Sequence, residues 1–324
     1  MILNTPIDMH LHLREGKILK NVIPYTTNQF AAAVIMPNLV PPVDNRERLE
    51  SYKAEILENS ENFTPLMNLF MREYTEEELL DLSKDIFAIK LYPAGITTNS
   101  QNGVKSIENI YPVLEIMSEL DIPLSVHGET NGFVLDRERE FGEIYKKLAK
   151  DFPKLKIIME HVGSADLLNL LDEYENLYAT ITLHHLLLTL DDLAGGMLNP
   201  HYFCKPIIKT PSDKKEIQKF VKSGHKKIMF GSDSAPHTIK NKLKGAAGIF
   251  SAPVILPALA EFFEGDIETF QKFISDNARE NFNINVPEKK VELIEEEWVA
   301  PYIVGEIKPM WAGKRFRYKV KGAI

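Results

Sequence analysis

Eight short apolar runs alternate with longer charged stretches through most of this chain of 324 residues, and this alternation limits its possible folds. The apolar runs are short enough to be buried strands, and the stretches between them show the apolar spacing of helices. We predict strands at 6–13, 31–36, 64–71, 86–92, 122–128, 156–161, 177–183 and 227–232. We predict helices at 46–58, 75–83, 106–120, 137–150, 165–174 and 212–222.

This order of elements favours an α/β fold, the (β/α)8 TIM barrel, because a closed parallel sheet leaves no exposed edge strand. A doubly wound open sheet is the alternative, but no Gly-rich phosphate loop follows the first strand. Since barrels of about 250 residues or more fold as one domain, we expect a single domain over residues 1–324. We expect closing helices at 251–263 and 267–275, and an irregular C-terminal tail from about 285 with short strands in 291–320.

Composition limits the partners that this chain can bind. A net charge of -8 argues against nucleic acid or an anionic membrane as partner, and therefore favours a small molecule. The single cysteine, Cys204, excludes a disulfide framework and a thiolate zinc site, and we expect it to be a buried core thiol. No signal peptide pattern and no apolar run of membrane-spanning length is present, so we expect a cytoplasmic protein.

Two histidines share one face of the first predicted strand. Because side chains alternate along a strand, His10 and His12 project to one side while Met9 and Leu11 take the other. Two neutral imidazoles placed in this way can bind one divalent cation. The His-x-His pattern alone is a weak signal, since paired histidines also occur as hydrogen-bonded polar residues.

Three further polar residues end predicted strands five, six and eight: His127, His161 and Asp233. Barrel enzymes assemble their sites at the C-terminal ends of the strands, so these side chains should meet His10 and His12. A lone histidine in such a position is more often a rim residue, and the prediction of a metal site therefore depends on all of them together. Glu160 should point to the opposite side from its neighbour His161, outside the site.

Lys90 lies near the end of the fourth predicted strand, where a buried ammonium would be costly and its pKa would fall. The neutral amine can add CO2 and become a carbamate, an anionic ligand able to bridge two metal ions. The alternative is a lysine whose ammonium reaches solvent at the barrel rim.

Several motifs together resemble those of the amidohydrolase superfamily, and more narrowly those of the shorter, single-domain dihydroorotase family. The likeness runs in unbroken order from about Pro6 to about Pro257 and fades in the C-terminal tail. The motifs are the run His10 to Arg14, Met36-Pro37-Asn38, Lys90-Leu91-Tyr92-Pro93, Val126-His127-Gly128-Glu129, Glu160-His161 and Gly231-Ser232-Asp233-Ser234-Ala235-Pro236-His237.

The resemblance implies a site with two metal ions, expected to be Zn2+. It implies that one ion is bound by His10, His12 and Asp233, the other by His127 and His161, and that Lys90, as N6-carboxylysine, bridges both. It also implies a substrate site in which Arg14, Asn38 and His237 hold a carboxylate, the backbone near Ala247 assists, and Thr97 and Thr98 close over the substrate. The chain departs from the family at Lys205, where an apolar residue contacting the substrate is expected, and in a shortened segment at 244–248.

The activity that the resemblance implies is the reversible cyclisation of N-carbamoyl-L-aspartate to L-dihydroorotate in pyrimidine biosynthesis, with Asp233 transferring the proton. It also implies a homodimer. A hydantoinase or allantoinase would share the metal ions and is the nearest alternative, and a catalytically silent barrel is another. The polar segment from Tyr92 to Gly103, here named the lid segment, is long for a strand-to-helix connection. His184 and His185 follow strand seven and are either rim residues or donors behind the ligands.

Overall fold

The computed structural model describes residues 1–101 and 103–323, so Asn102 of the lid segment lies outside the described residues. The strands are β1 Ile2–Asn4, β2 Ile7–Leu11, β3 Ala32–Ile35, β4 Thr64–Phe70, β5 Ala88–Leu91, β6 Leu124–Val126, β7 Ile157–Met159, β8 Leu177–Ile181, β9 Ile228–Phe230, β10 Lys290–Val299 and β11 Arg315–Ala323. The α-helices are α1 Gly16–Thr27, α2 Arg46–Glu58, α3 Glu76–Leu82, α4 Tyr111–Glu119, α5 Arg137–Asp151, α6 Leu170–Glu173, α7 Leu183–Leu187, α8 Leu190–Ala194, α9 Pro211–Lys222, α10 Ile239–Leu243, α11 Ile255–Phe263, α12 Ile267–Gln271 and α13 Asn277–Phe282.

Strands β2 to β9 form an eight-stranded parallel sheet in sequence order, which confirms the predicted α/β barrel. The first and last strands meet through backbone hydrogen bonds: Asp233 N donates to His10 O (2.8 Å) and His12 N donates to Ser234 O (3.2 Å). The buried Asp8 carboxylate strengthens this seam by accepting a hydrogen bond from Ser232 N at 2.7 Å. The residues that close the barrel are therefore the same ones that carry the predicted ligands.

The barrel strands are buried on both faces, as expected for a parallel sheet covered by helices. Along β3, Val34 packs in one apolar cluster with Met9 and Met229, while Ala33 and Ile35 belong to the larger cluster beneath the helices. This two-residue period sorts side chains between the barrel interior and the surrounding layer.

All eight predicted barrel strands are present, each shorter than predicted, and the six predicted helices are present too. Two of these helices begin with a 3-10 turn, at Glu108–Ile110 and Ala165–Asn169, before the α-helix continues. The second closing helix extends beyond residue 275 through a π-helical turn, Lys272–Asp276, into α13. No helix in the described part of the chain is long and apolar enough to cross a membrane.

The C-terminal tail differs from the expectation of irregular structure with short strands. Strands β10 and β11 are ten and nine residues long and form an antiparallel sheet in the order β1, β10, β11. Leu293 and Val291 are buried, whereas the middle of β10 is a run of glutamates that faces basic side chains of β11. Because a run of glutamates interrupts the alternation of apolar and polar residues in β10, the sequence pattern did not predict a strand of this length.

Candidate metal centre and substrate pocket

The predicted ligands all lie at the C-terminal ends of barrel strands. His10 is in β2, Lys90 is in β5, and the others follow the ends of their strands: His12 after β2, His127 after β6, His161 after β7 and Asp233 after β9. His161 and Asp233 have left-handed backbone conformations, with φ of 44° and 42°. Such conformations cost about 1–3 kcal/mol for residues other than glycine, and they cluster at functional sites because the surrounding structure enforces them.

Three of these side chains converge at the seam between β2 and β9. His10 Nε2 lies 3.3 Å from His12 Nε2, and Asp233 Oδ1 lies 3.0 Å from His12 Nε2 and 3.5 Å from His10 Nε2. Gly231 permits this approach, since a Cβ there would lie 3.0 Å from the His10 Cβ and 2.9 Å from the Thr180 Cβ. The three donors form one compact, buried set.

A second pair adjoins the first set. His127 Nδ1 lies 3.1 Å from His161 Nε2, and the rings of His161 and His10 have centroids 5.0 Å apart. The two groups thus occupy one continuous region at the upper end of the barrel interior. This is the arrangement expected for two neighbouring cation sites.

Two buried glutamates fix the tautomers of the histidines. His10 Nδ1–H donates to Glu160 Oε2 at 2.8 Å, and His127 Nε2–H donates to Glu129 Oε2 at 2.6 Å. The remaining ring nitrogen of each histidine therefore carries a lone pair that faces the other ligands. Carboxylates that hold metal-binding histidines in this way also raise the basicity of the ligand nitrogen.

Burial lowers the pKa of His10, His12 and His161, so these rings are neutral. The neutral rings of His10 and His12 have their Nε2 atoms 3.3 Å apart, so their lone pairs lie close together and a cation between them would bind those lone pairs. Burial also raises the pKa of Asp233, which shows that its charge is poorly compensated by protein groups alone. Imidazole nitrogen and carboxylate oxygen are donors that fit Zn2+, so the residues present fit a metal centre.

Lys90 is fully buried at the base of this centre, so the alternative of a lysine extended to the rim is wrong. Within the described residues its Nζ has no hydrogen-bond partner. Burial lowers its pKa to about 8, although Glu160 and Asp233 act in the opposite direction. An amine with that pKa has a substantial neutral fraction at physiological pH, which is the form that reacts with CO2.

The expectation that Glu160 points away from the site is wrong. Its carboxylate accepts hydrogen bonds from His10, from Ser125 Oγ (2.5 Å) and from Thr180 Oγ1 (2.6 Å) inside the barrel. Strand β7 ends at Met159, and the left-handed turn at His161 breaks the alternation on which the expectation depended. The sequence signal that could have identified Glu160 is its place beside a ligand at a strand end.

Above the centre lies a small cavity. Its walls include all of the predicted site residues apart from Lys90 and His237, and also Tyr92, Ala235 and Gly248, which the sequence reasoning missed. His237 stands directly behind the wall: its Nε2–H donates to Ala247 O at 2.9 Å, and Arg14 Nη2 lies 3.3 Å from the same nitrogen. Burial and Arg14 lower the pKa of His237 to about 3, so Arg14 supplies the positive charge of this corner.

The lid segment is folded over this cavity. Asn38 Nδ2 donates to Thr98 O and Asn99 Nδ2 donates to Asn38 O, both at 3.0 Å. Lys205 Nζ donates to Ile96 O, so the residue that departs from the family pattern contacts the lid segment. Thr97 and Thr98 both line the cavity, where the sequence reasoning expected them.

His184, His185 and Cys204 form a buried group outside the cavity. His185 Nε2–H donates to Pro206 O at 3.1 Å and Cys204 Sγ donates to the same oxygen at 3.2 Å. The expected burial of Cys204 is confirmed, whereas the rim position considered for the two histidines is wrong. His185 packs behind the ligand loop, since a Cβ at Gly163 would lie 2.8 Å from its ring.

Comparisons with known proteins agree with this geometry. The sequence profile of a family described as Amidohydrolase matches residues 7–284. A dihydroorotase of Helicobacter hepaticus is 44% identical over an alignment of 333 positions, which covers 98% of this chain and 97% of that protein. The crystal structure of a dihydroorotase from Campylobacter jejuni has a TM-score of 0.95 and 52% identity, over 99% of this chain and 97% of that chain.

Two more solved structures mark how far the likeness extends. Dihydroorotase from Saccharomyces cerevisiae, in complex with 5-fluoroorotic acid, has a TM-score of 0.94 and 34% identity over 99% of this chain and 98% of that chain. L-Hydantoinase from Arthrobacter aurescens has a TM-score of 0.87 at 14% identity, over 100% of this chain and 84% of that chain, a likeness that shows the fold alone. With a family profile over most of its length and similar dihydroorotases over nearly all of it, the chain belongs to the amidohydrolase family and, within it, to the dihydroorotases.

Proposed function

We propose that this chain catalyses the reversible cyclisation of N-carbamoyl-L-aspartate to L-dihydroorotate, a step of pyrimidine biosynthesis. One observation carries the proposal: a buried set of metal-binding donors and a cationic corner at Arg14 share one cavity. The donor set suits amide chemistry and the cationic corner suits a carboxylate. Dihydroorotate carries both groups, a ring amide and a carboxylate.

The residues that would hold two Zn2+ ions are those predicted from the sequence. His10, His12 and Asp233 would bind one ion, His127 and His161 the other, and Lys90 as N6-carboxylysine would bridge them. Bound divalent cations would supply an activated water molecule and a Lewis acid for the amide carbonyl. The orphaned Lys90 Nζ and the facing ring nitrogens are the features that support this arrangement.

Asp233 is proposed to move the proton. In the hydrolytic direction its carboxylate accepts a proton from water and passes it to the departing ring nitrogen. In the biosynthetic direction it removes a proton from the ureido nitrogen, and the attacked carboxylate loses an oxygen that leaves as water with this proton and one more from solvent. Because cyclisation takes up a proton from solvent, lower pH should favour it. The buried position of Asp233 beside His12 keeps the carboxylate at the base of the cavity.

Arg14 is proposed to bind the substrate carboxylate that does not react. Its guanidinium presents a planar fork, and each charge-assisted hydrogen bond to a carboxylate contributes about 1.5–3 kcal/mol. Asn38, His237 and the Ala247 backbone would complete this site. The lid segment, with Thr97, Thr98 and its contact from Lys205, would exclude water during the reaction.

The alternatives remain distinguishable. A hydantoinase or allantoinase would act on a ring without a carboxylate, and Arg14 would then have no anionic partner. A silent barrel would have no use for the buried donors His10, His12 and Asp233 that converge on one centre. We further propose that the chain is one domain, acts in the cytoplasm and forms a homodimer. Sedimentation of the purified protein would test the homodimer.

The deciding experiment is an absorbance assay of dihydroorotate ring opening, before and after chelation and after readdition of Zn2+. The proposal requires activity that is lost on chelation and regained with Zn2+. Hydantoin and allantoin are the control substrates. Turnover of either control without turnover of dihydroorotate would refute the proposed substrate, and failure with all three would favour the silent barrel.

A further inference from the structure

A buried lysine behind the cavity wall has no part in the proposed chemistry. Lys242 lies on α10, and only 3% of it is exposed. Its Nζ donates hydrogen bonds to the carbonyl oxygens of Phe203 (2.7 Å), Ala246 (2.9 Å) and Gly248 (2.6 Å). An ammonium has three N–H donors, so three carbonyl groups account for all of them.

These carbonyls belong to two different loops that form the same wall. Phe203 lies two residues before Lys205, and Ala246 and Gly248 flank Ala247, whose neighbours are thereby fixed on both sides. Gly248 N also donates to Phe203 O at 2.9 Å, so the loops are joined at this point by both backbone and ammonium. The ammonium of Lys242 therefore joins the two loops, because it donates hydrogen bonds to carbonyl groups of both.

The segment around Ala247 has little freedom to move away from this position. Gly248 has φ of 145°, and a Cβ there would lie 2.8 Å from the Cβ of Ala235. Ala235 N donates to Ile249 O at 2.9 Å on the same side. The segment is therefore held by packing against Ala235 on one side and by the Lys242 ammonium on the other. The position of His237 depends on this segment, because its ring donates a hydrogen bond to Ala247 O.

The charge of Lys242 is not neutralised by an ion pair within residues 1–101 and 103–323. Burial lowers its pKa to about 8, while the nearby Cys204 acts in the opposite direction. Burying a cation among neutral carbonyl groups is costly. The positive potential of Lys242 reaches the corner where Arg14 and His237 meet, because it contributes to the lowered pKa of His237.

We propose that Lys242 is a positioning residue for the substrate carboxylate: it clamps the two loops so that the Ala247 backbone and His237 face the bound acid. This inference rests on the proposed function, since it deepens the assignment of the same site. Lys242 does not touch the substrate. It acts through the position of Ala247 and through its charge.

The test compares Lys242→Met with Lys240→Met, an exposed lysine on the same helix, in the Zn2+-loaded enzyme. For Lys242→Met we expect the KM for both substrates and the Kd for orotate, measured by calorimetry, to rise about tenfold, with kcat within about threefold, as for lost ground-state binding. Metal content should be unchanged, and Lys240→Met should match the wild type. An unchanged KM, or a loss confined to kcat, would overturn the proposal.

A second variant guards against a folding defect of Lys242→Met, and a second measurement tests the clamp without depending on the proposed substrate. Lys242→Gln keeps two N–H donors without the charge, and should fold and raise KM by less than Lys242→Met; a wild-type KM would again contradict the clamp. Amide hydrogen exchange over residues 244–249 should be faster in both variants than in Lys240→Met, with or without turnover. Inactive wild-type enzyme would refute the proposed function, whereas unaltered exchange would refute the clamp alone.

Discussion

At the scale of single residues, the site consists of buried imidazoles whose ring nitrogens are oriented by carboxylates behind them. Burial keeps the rings of His10, His12 and His161 neutral. The carboxylates of Glu160 and Glu129 determine which nitrogen of His10 and of His127 faces the centre. The histidines of the site are the same residue type, but they differ in the hydrogen-bond partners behind their rings. Single substitutions should therefore separate metal binding, proton transfer and substrate recognition.

Asp233→Asn tests the proton transfer. The amide keeps the shape and one oxygen ligand but cannot accept the proton, and general acid–base catalysis contributes about 10²–10⁴-fold to a rate. We expect kcat to fall by about that factor, with the fold intact and most of the metal retained. Steady-state kinetics with metal analysis would check this, and near-normal turnover would exclude the role of Asp233.

Arg14→Met tests substrate recognition. The change removes the guanidinium fork and keeps an apolar stem of similar reach, so two charge-assisted bonds of about 1.5–3 kcal/mol each would be lost. We expect the KM for carbamoyl aspartate to rise at least about 100-fold, with a smaller effect on kcat. Arg46→Met, at a partly exposed site on α2 outside the cavity, is the control. A KM equal to that of the wild type would remove Arg14 from the site.

Glu160→Gln tests the corrected position of this residue. The amide has the same size but can present an N–H to His10 Nδ1, which would change the tautomer that directs Nε2 toward the centre. Loss of such a partner lowers metal affinity by about 10–100-fold. Competition with a zinc chelator would measure the loss, and nitrogen NMR of the histidines would report the tautomer. Affinity equal to that of the wild type would mean that His10 needs no carboxylate.

At the scale of elements, the C-terminal sheet is the part that sequence patterns identified least well. Leu293 of β10 is fully buried beneath this sheet. Leu293→Ala should lower the free energy of unfolding by about 2–5 kcal/mol, because the cavity cannot be refilled. Val299→Ala, at the exposed end of the same strand, should cost less than about 0.5 kcal/mol. Equal effects in urea unfolding would contradict the burial.

The comparison of sequence and structure at this scale follows from periodicity. The barrel strands were predictable because parallel strands are apolar throughout, and the ligands because they stand where those runs end. Glu160 was misplaced because its strand ends before it, and Lys242 was missed because a charged residue on a short helix has no sequence mark of burial. Patterns locate elements, whereas the contacts between loops follow from packing.

At the scale of the whole molecule, the barrel brings residues more than 200 positions apart to one seam, where Asp233 N donates to His10 O. The hydrogen bonds that close the sheet therefore also hold the site residues together. The motifs near residue 10 and residue 233 could be recognised in the sequence separately. The closed sheet places both motifs beside each other at one end of the barrel.

Anomalous diffraction at the zinc absorption edge, from crystals of protein purified with Zn2+, tests most directly whether these side chains hold metal. Two peaks are predicted, one beside the Nε2 atoms of His10 and His12 and one beside His127 Nδ1 and His161 Nε2, with density joining Lys90 to both. No peak at either position, or a bare Lys90 ammonium between empty imidazoles, would contradict the account.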